Sequence, residues 1–241
     1  MVLEQAPPDI DQYIQPSDSA LLLSHLTSLS VDRFELDLSS KSKITGDPRS
    51  IKIRLEFSEN EHFSDSVLEK KFWYRRSKDG SSGLVSEPVR IQWKKGKDLT
   101  SGLLDMVCDV WEAELKTANG KPATHNADNL SPEQKALKDK IDSTGMGGLS
   151  FFAWFGYIGR KVSAEENAEA TKKDEEMRQL RKAGKPVPQS QEDEGEEEED
   201  DALDMMLEIF HDGDELAIAF AEDLWPGAIK YFSMPLFISI P

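Results

Sequence analysis

The sequence contains almost no cysteine, no long apolar run and fewer basic than acidic residues. Its single cysteine, Cys108, rules out an intrachain disulfide and a cysteine-based metal site, and fits a reducing compartment. No apolar stretch approaches the roughly 20 residues that a membrane-spanning helix needs. The first eight residues lack the cationic and apolar regions of a signal peptide. With 29 Lys and Arg against 46 Asp and Glu, the net charge is -17, which favours basic partners.

The sequence also lacks the spacings of common catalytic and metal sites. Its histidines, His25, His62, His125 and His211, form neither an HxxxH nor an HExxH pattern. There is no GxxxxGK[ST] phosphate loop and no GxSxG elbow. Residues 212–215 cluster carboxylates without the twelve-residue spacing of a calcium loop. We therefore predict no enzymatic activity, no metal site and no cofactor.

Strongly alternating segments are what the sequence does contain. Apolar and charged residues alternate without interruption from Ser50 to Phe57, which is typical of a strand with one dry face and one wet face. Including this segment, the predicted strands are Leu29–Leu38, Ser50–Phe57, Lys71–Arg76 and Val89–Trp93. Turns are expected at residues 64–68 and 79–83. Short strands joined by polar turns predict a four-stranded antiparallel sheet.

Helical periodicity covers most of the remaining chain. The predicted helices are Ser17–Leu26 with Ser17 as N-cap, Ser101–Thr117, a helix capped by Ser131 that stops before Gly145, the solvated helix Ala164–Lys182, and a last helical region from Met205 that ends near Pro226. The fold class is therefore α+β, with the helices packed on the sheet.

Clustered aromatic residues predict the core. Residues 151–157 carry five aromatic side chains, which are expected to lie against the dry face of the sheet rather than to stack on nucleic acid bases. Trp93, Trp154 and Trp225 are each expected to be structural. Tyr231 and Phe232 are expected to return to the core.

One acidic block stands out. Glu192–Asp201 contains nine acids in ten residues, which repel one another and keep such a segment extended until a basic partner neutralises it. Within it, the residues Glu196, Glu197, Glu198 and Glu199 are candidate ligands for a basic protein. The carboxylates Asp212, Asp214 and Glu215 are further candidates, although a solvated helix start is the plainer interpretation.

Four strings of residues occur in the order typical of a known family. They are 57–63 followed by 67–70 (FSENEHF and VLEK), 91–100 (IQWKKGKDLT), 150–155 (SFFAWF), and 221–226 (AEDLWP) ahead of Tyr231-Phe232. The chain in this respect resembles the nucleosome assembly proteins, and within them the SET (template-activating factor I) histone chaperones. Residues 105–148 and 159–191 carry no string of the family.

The resemblance implies a function and a set of contacts. It implies an "earmuff" domain whose acidic underside binds core histones in nucleosome assembly and chromatin remodelling, in the nucleus with shuttling to the cytoplasm. By matching position, Glu59, Glu61, Glu222 and Asp223 are candidate histone ligands, while a solvated helix face is an equal explanation for the last two. The lysines Lys94, Lys95 and Lys97 are weak candidates for contact with double-stranded DNA. Inhibition of a Ser/Thr phosphatase, a property associated with SET-type proteins, is the alternative function.

The resemblance also bears on chain organisation. Family members dimerise through a long N-terminal helix upstream of the matched part, and without it we expect a monomer or weak associate rather than a homodimer. We divide the chain into a remnant (1–16), a core (17–158, with 105–148 as an insertion), a charged linker with the acidic block (159–201), C-terminal helices that complete the core (202–232) and a tail (233–241).

Overall fold

A four-stranded antiparallel meander forms the centre of the fold. The computed structural model describes residues 14–36, 46–117, 130–144, 149–184 and 204–233. The strands are β1 (Leu26–Asp32), β2 (Ile51–Phe57), β3 (Val67–Arg76) and β4 (Ser82–Ser86), in the order β1-β2-β3-β4. Each strand therefore pairs with its neighbour in the sequence, as predicted.

The first two elements begin earlier than predicted. Helix α1 spans Pro16–His25, and Gln15 rather than Ser17 is its N-cap, in a capping box with Asp18. Strand β1 follows at once and ends at Asp32, instead of covering Leu29–Leu38. Its register pairs Leu29 with Leu55, so the apolar residues of both strands share the dry face. Beyond Asp32 the chain turns, and the Leu36 N–H donates to the Arg33 carbonyl at 3.0 Å.

The third strand is longer than predicted and the fourth is a different segment. Strand β3 starts at Val67, in a region predicted as a turn, because Val67 and Leu68 already pair with β2. Strand β4 occupies Ser82–Ser86, immediately after the hairpin turn, and Val89–Trp93 is not a strand of the sheet. Pro88 has no N–H to donate to a ladder, so the strand ends before it. The later segment instead packs by burying Ile91 and by a bridge between Phe63 and Trp93.

The helices predicted up to Lys182 lie at the predicted places, whereas a further helix, Ala228–Ser233, follows the predicted end near Pro226. After α1 they are α2 (Leu103–Thr117), α3 (Pro132–Thr144), the 3₁₀ helix Phe151–Gly156, α4 (Ala164–Lys182), α5 (Gly213–Ala219), the π-helix Phe220–Leu224 and α6 (Ala228–Ser233). Ser131 caps α3 as predicted: its hydroxyl accepts from the Gln134 N–H at 3.2 Å, and the Gln134 side chain accepts from the Ser131 N–H at 2.8 Å.

The core lies between the dry face of the sheet and the 3₁₀ helix. Ile51, Ile53 and Leu55 of β2 are each 1% exposed, and all six residues of the 3₁₀ helix are buried. Trp154 stacks on Phe72 of β3 with ring centroids 5.5 Å apart. Helices α2 and α3 contribute apolar side chains to the same cluster. The prediction that the aromatic residues at 151–157 cover the sheet is confirmed.

Two predictions for the C-terminal aromatic residues are wrong. Trp225 is 44% exposed and does not belong to the core. Tyr231 does not return to the core either, since its hydroxyl bonds the exposed Asp223 carboxylate at 2.7 Å. The reason is that the continuous helix formed by α5 and the π-helix ends at Leu224 and α6 begins only at Ala228, so Trp225 lies in the turn between them and Tyr231 lies beyond it.

Candidate functional site

The charged side chains of the C-terminal residues 204–233, here called the acidic segment, are nearly all negative. They contain one lysine, Lys230, against seven carboxylates. The carboxylates are Asp204, Glu208, Asp212, Asp214, Glu215, Glu222 and Asp223. A dense cluster of this kind attracts lysine- and arginine-rich surfaces, provided that the fold holds it in place.

Trp154 fixes the middle of the acidic segment to the core. Its indole N–H donates to the Gly213 carbonyl at 2.8 Å, and its ring lies 5.5 Å from that of Phe220. Gly213 is required for this close approach, because a Cβ there would meet the Tyr157 ring at 2.3 Å. The start of α5, with its three carboxylates, is thus positioned by the aromatic core.

Buried charges fix the beginning of the acidic segment. Asp204 bonds the Lys161 ammonium at 3.0 Å, and Lys161 also lies 3.0 Å from Glu114 of α2. Glu208 accepts hydrogen bonds from the Ile158 and Gly159 N–H groups at 3.0 and 3.1 Å. Burial raises the pKa of Glu208 to about 7, although these backbone donors act in the opposite direction. These two carboxylates therefore serve the fold, whereas Asp212 and Asp214 are half-exposed and Glu215 is exposed.

The α5 candidates lie together at one helix start. Asp212 is the N-cap residue, and Asp214 and Glu215 belong to the first turn. Burial raises the pKa of Tyr157, and the nearby Asp214 carboxylate adds to that rise. Glu215 is exposed and makes no ion pair with any described residue. Carboxylates in a first helical turn also interact favourably with the helix dipole, so this position holds negative charge at little cost.

Glu222 and Asp223 already have partners within the chain. Glu222 lies 3.5 Å from the Arg33 guanidinium, in the turn after β1. The Tyr231 hydroxyl donates a hydrogen bond to the Asp223 carboxylate at 2.7 Å, and this bond raises the pKa of Tyr231. Both carboxylates are exposed, so a basic partner can approach them only in competition with these contacts.

Glu59 and Glu61 lie in the loop after β2, which the lysine loop 94–97 contacts directly. Lys97 bonds the Glu61 carboxylate at 2.6 Å, and this hydrogen bond holds the pKa of Glu61 below its usual range. Lys94 donates to the Asn60 carbonyl at 2.5 Å. The candidate histone ligand Glu61 and the candidate DNA contact Lys97 are thus partners of one another, whereas Lys94 is held by the backbone of the same loop. Glu59 is exposed and makes no ion pair with a described residue, and Lys95 is exposed too.

The remaining acidic candidates lie beyond what the structure describes. Glu196, Glu197, Glu198 and Glu199 fall between residues 184 and 204, outside the described ranges. Within those ranges, no group of three or more His, Cys, Asp or Glu side chains is arranged to hold a metal ion. None of the described helices is long and apolar enough to cross a membrane.

Two buried lysines were missed by the sequence analysis. Lys70 on β3 is fully buried and donates to three carbonyl oxygens, those of Glu87, Phe155 and Tyr157, at 2.9–3.1 Å. The sequence could have indicated this burial, because Lys70 alternates with Leu68 and Phe72 and so lies on the same buried face of the strand. Lys161 is enclosed by carboxylates from two other elements, and no local pattern indicates such a site.

The fold and the acidic segment together define a class, an α+β domain with a rigid anionic surface. A profile of the nucleosome assembly protein (NAP) family matches residues 2–234. The chain therefore belongs to the nucleosome assembly protein family, and the resemblance noted from the sequence is confirmed. The match includes residues 105–148 and 159–191, where the sequence strings gave no sign of the family.

The chain is also similar to individual proteins. Over 110 residues the chain is 36% identical to the Schizosaccharomyces pombe protein C36B7.08c, whose name places it among nucleosome assembly proteins. That match covers 41% of this chain and 41% of the relative, so the chain spans about two fifths of it. The crystal structure of Ccp1 has a TM-score of 0.45 at 23% identity, covering 96% of this chain and 70% of its own. The Vps75 histone chaperone has a TM-score of 0.43 at 19% identity, with coverages of 93% and 73%.

Proposed function

We propose that this protein is a nuclear histone chaperone that binds core histones through the acidic segment and takes part in nucleosome assembly. The observation that carries the proposal is the anchoring of three α5 carboxylates, at positions 212, 214 and 215, over the Trp154 core. Family membership supports the choice of histones among possible basic partners. No reactive group is needed for this activity, because competition with DNA for lysine and arginine side chains depends on charge and geometry.

The proposed residues differ in their expected contribution. Glu59 and Glu215 are exposed without an internal ion pair to a described residue, so they are the strongest of the candidates outside the acidic block. Glu61 and Glu222 must first exchange Lys97 and Arg33 for histone side chains. Exchange of one surface ion pair for another yields little net free energy, since exposed pairs are worth about 0–1 kcal/mol. We infer that DNA contact by Lys97 is limited for the same reason, and that Lys94 must first give up its hydrogen bond to the Asn60 carbonyl, which leaves Lys95 as the accessible lysine.

The decisive experiment neutralises the α5 carboxylates without changing side-chain size. In the variant D212N/D214N/E215Q we expect the affinity for core histone octamers or tetramers to fall at least about tenfold, which corresponds to 1.4 kcal/mol. The matched control, E169Q/E175Q/E176Q on the exposed face of α4, removes the same charge. An equal loss in both variants would mean that overall charge, rather than the α5 surface, determines binding.

No contact among the described residues favours inhibition of a Ser/Thr phosphatase, so we do not propose that alternative function.

We also propose the division of the chain at residues 16, 158, 201 and 232. Helices α2 and α3 pack in the same core as residues 51–72, which supports 17–158 as one unit.

A further inference from the structure

A groove of about 330 Å³ lies between α3 and the first residues of the acidic segment. Its apolar lining includes Ile141, Leu149, Met205, Met206 and Ile209, and this surface is here called the methionine groove. Its size falls within the range of about 300–1,000 Å³ seen for ligand sites. It therefore has room for a few large side chains.

The methionines of this groove are exposed where neighbouring apolar residues are buried. Leu149 and Ile209 form a floor that is 8% and 3% exposed, whereas Met205 and Met206 are 68% and 44% exposed. Two adjacent, exposed methionines beside a buried apolar floor favour association, because methionine is flexible and adapts to varied apolar partners.

The charges of the groove select the kind of partner. Its ionisable lining consists of Asp142, Glu208 and His211, with no lysine or arginine. Asp142 is exposed and forms no ion pair with a described residue. An apolar groove with carboxylates at its edge fits an apolar stripe flanked by lysine or arginine.

We propose that the methionine groove binds a basic amphipathic helix, whose apolar side chains enter the groove while its cationic side chains meet the exposed Asp142 carboxylate. The inference rests on the proposed function and deepens it: besides the charged α5 surface, a basic partner would have a second site of partly apolar character. Binding at this groove is expected to be less sensitive to salt than binding at α5, because apolar contacts are not screened.

A labelled synthetic helix tests the site directly. The probe is a peptide of leucine and lysine, about 18 residues or five turns long, with leucine on one face. Its controls are a scrambled peptide of the same composition and a leucine–glutamate peptide. Fluorescence anisotropy with the full chain should show binding of the first peptide at least about tenfold tighter than of either control.

Variants of the groove identify where the peptide binds. M205S/M206S should weaken peptide binding at least tenfold, and D142N should weaken it by a smaller factor. The matched control is L23S, because Leu23 is 84% exposed and lies on α1, outside the groove. All three substitutions alter exposed side chains, and equal unfolding midpoints in urea would verify that folding is intact. An equal loss with L23S, or equal binding of the scrambled peptide, would overturn the proposal.

Two other occupants give different results. If a second copy fills the groove, sedimentation will show a dimer that M205S/M206S dissociates, and the proposal fails. If the chain's own apolar C-terminal residues fill it, F237S/I238S will increase peptide affinity, and the proposal fails likewise. Core histones are titrated in parallel: a wild-type protein that binds the peptide but no histone disproves the proposed function while leaving the groove assignment intact.

Discussion

Trp154 and Gly213 are joined by a hydrogen bond of 2.8 Å between the indole N–H and the backbone carbonyl, across 59 residues of sequence. The tryptophan is fully buried and stacks on Phe72, so the same side chain packs the sheet and holds the start of α5. Stability of the core and presentation of the acidic segment are therefore coupled at one residue.

Substitution of Trp154 should destabilise the fold and distinguish packing from hydrogen bonding. We expect Trp154→Ala to lower the free energy of unfolding by about 3–5 kcal/mol, because it leaves a cavity in the core. Trp154→Phe should cost less, since it retains most of the packing and loses the bond to Gly213. Urea denaturation at neutral pH measures both. Trp225→Ala, at an exposed position, serves as the control and should change stability by less than about 1 kcal/mol; a larger effect would show that Trp225 is structural.

Lys70 should make stability rise with pH above neutrality. Burial lowers the pKa of Lys70 to about 7, from an ordinary value of 10.5 in the unfolded chain. Between pH 7 and 10.5 the lysine is protonated in the unfolded chain but neutral in the folded one. Burying the charged ammonium costs folding free energy, and this cost is fully present below pH 7 and decreases as the pH rises. The contribution of Lys70 is at most about 1.4 kcal/mol per pH unit.

The measurement compares slopes of unfolding free energy against pH between pH 8 and 10. We expect a smaller slope for Lys70→Met than for wild type, because the titrating group is gone. Lys52→Met removes a lysine from the wet face of β2 and should keep the wild-type slope. Identical slopes in all three proteins would mean that the buried ammonium does not lose its proton in this range.

Removal of Lys97 should release Glu61 for binding. The Lys97 ammonium lies 2.6 Å from the Glu61 carboxylate, so a histone side chain must displace it. Lys97→Ser is expected to increase histone affinity severalfold, and the double variant K97S/E61Q is expected to lose that gain. Lys95→Ser removes the same charge from an exposed lysine for which the structure gives no ion pair, and thus controls for net charge. If Lys95→Ser increases histone affinity as much as Lys97→Ser does, the gain comes from net charge and not from loss of the Lys97–Glu61 ion pair.

Much of the fold could be predicted because local patterns determine it. The alternation from Ile51 to Phe57 gave a central strand with a fully buried face, and Ser131-Pro132 gave the start of α3. The fourth strand could not be predicted in the same way, because Ser82–Ser86 contains only two apolar residues and follows a glycine-containing turn. This segment is a strand because it pairs with Trp73 and Tyr74 of β3. The residues of the segment alone do not indicate that pairing.

The candidate site was predictable in composition but not in arrangement. Charge runs identified the acidic residues, whereas the partners of Glu61 and Glu222 lie far away in sequence, at Lys97 and Arg33. Trp225 was misjudged because an apolar residue in a motif was expected to be buried, and the break at Leu224 turned it to solvent. Long-range geometry of this kind depends on the whole fold.

The acidic block Glu192–Asp201 should act on the rate of association rather than on the final complex. It lies outside the described residues, and the prediction depends on its nine acids and on the anchoring of the α5 surface. Charges that attract a partner from a distance mainly raise the association rate, whereas close contacts determine how slowly the complex dissociates. Replacing the acids of the block by glutamine and asparagine should slow histone association about tenfold at low salt.

Stopped-flow kinetics at several salt concentrations separates the block from the α5 surface. We expect the block variant to lose most of the salt dependence of its association rate and to keep its dissociation rate, whereas D212N/D214N/E215Q should dissociate faster. The Debye length shrinks from about 30 Å at 0.01 M to about 8 Å at 0.15 M salt, so the difference in association rates should narrow over that range. Complete loss of binding in the block variant would instead identify the block as the docking surface and remove the α5 carboxylates from that role.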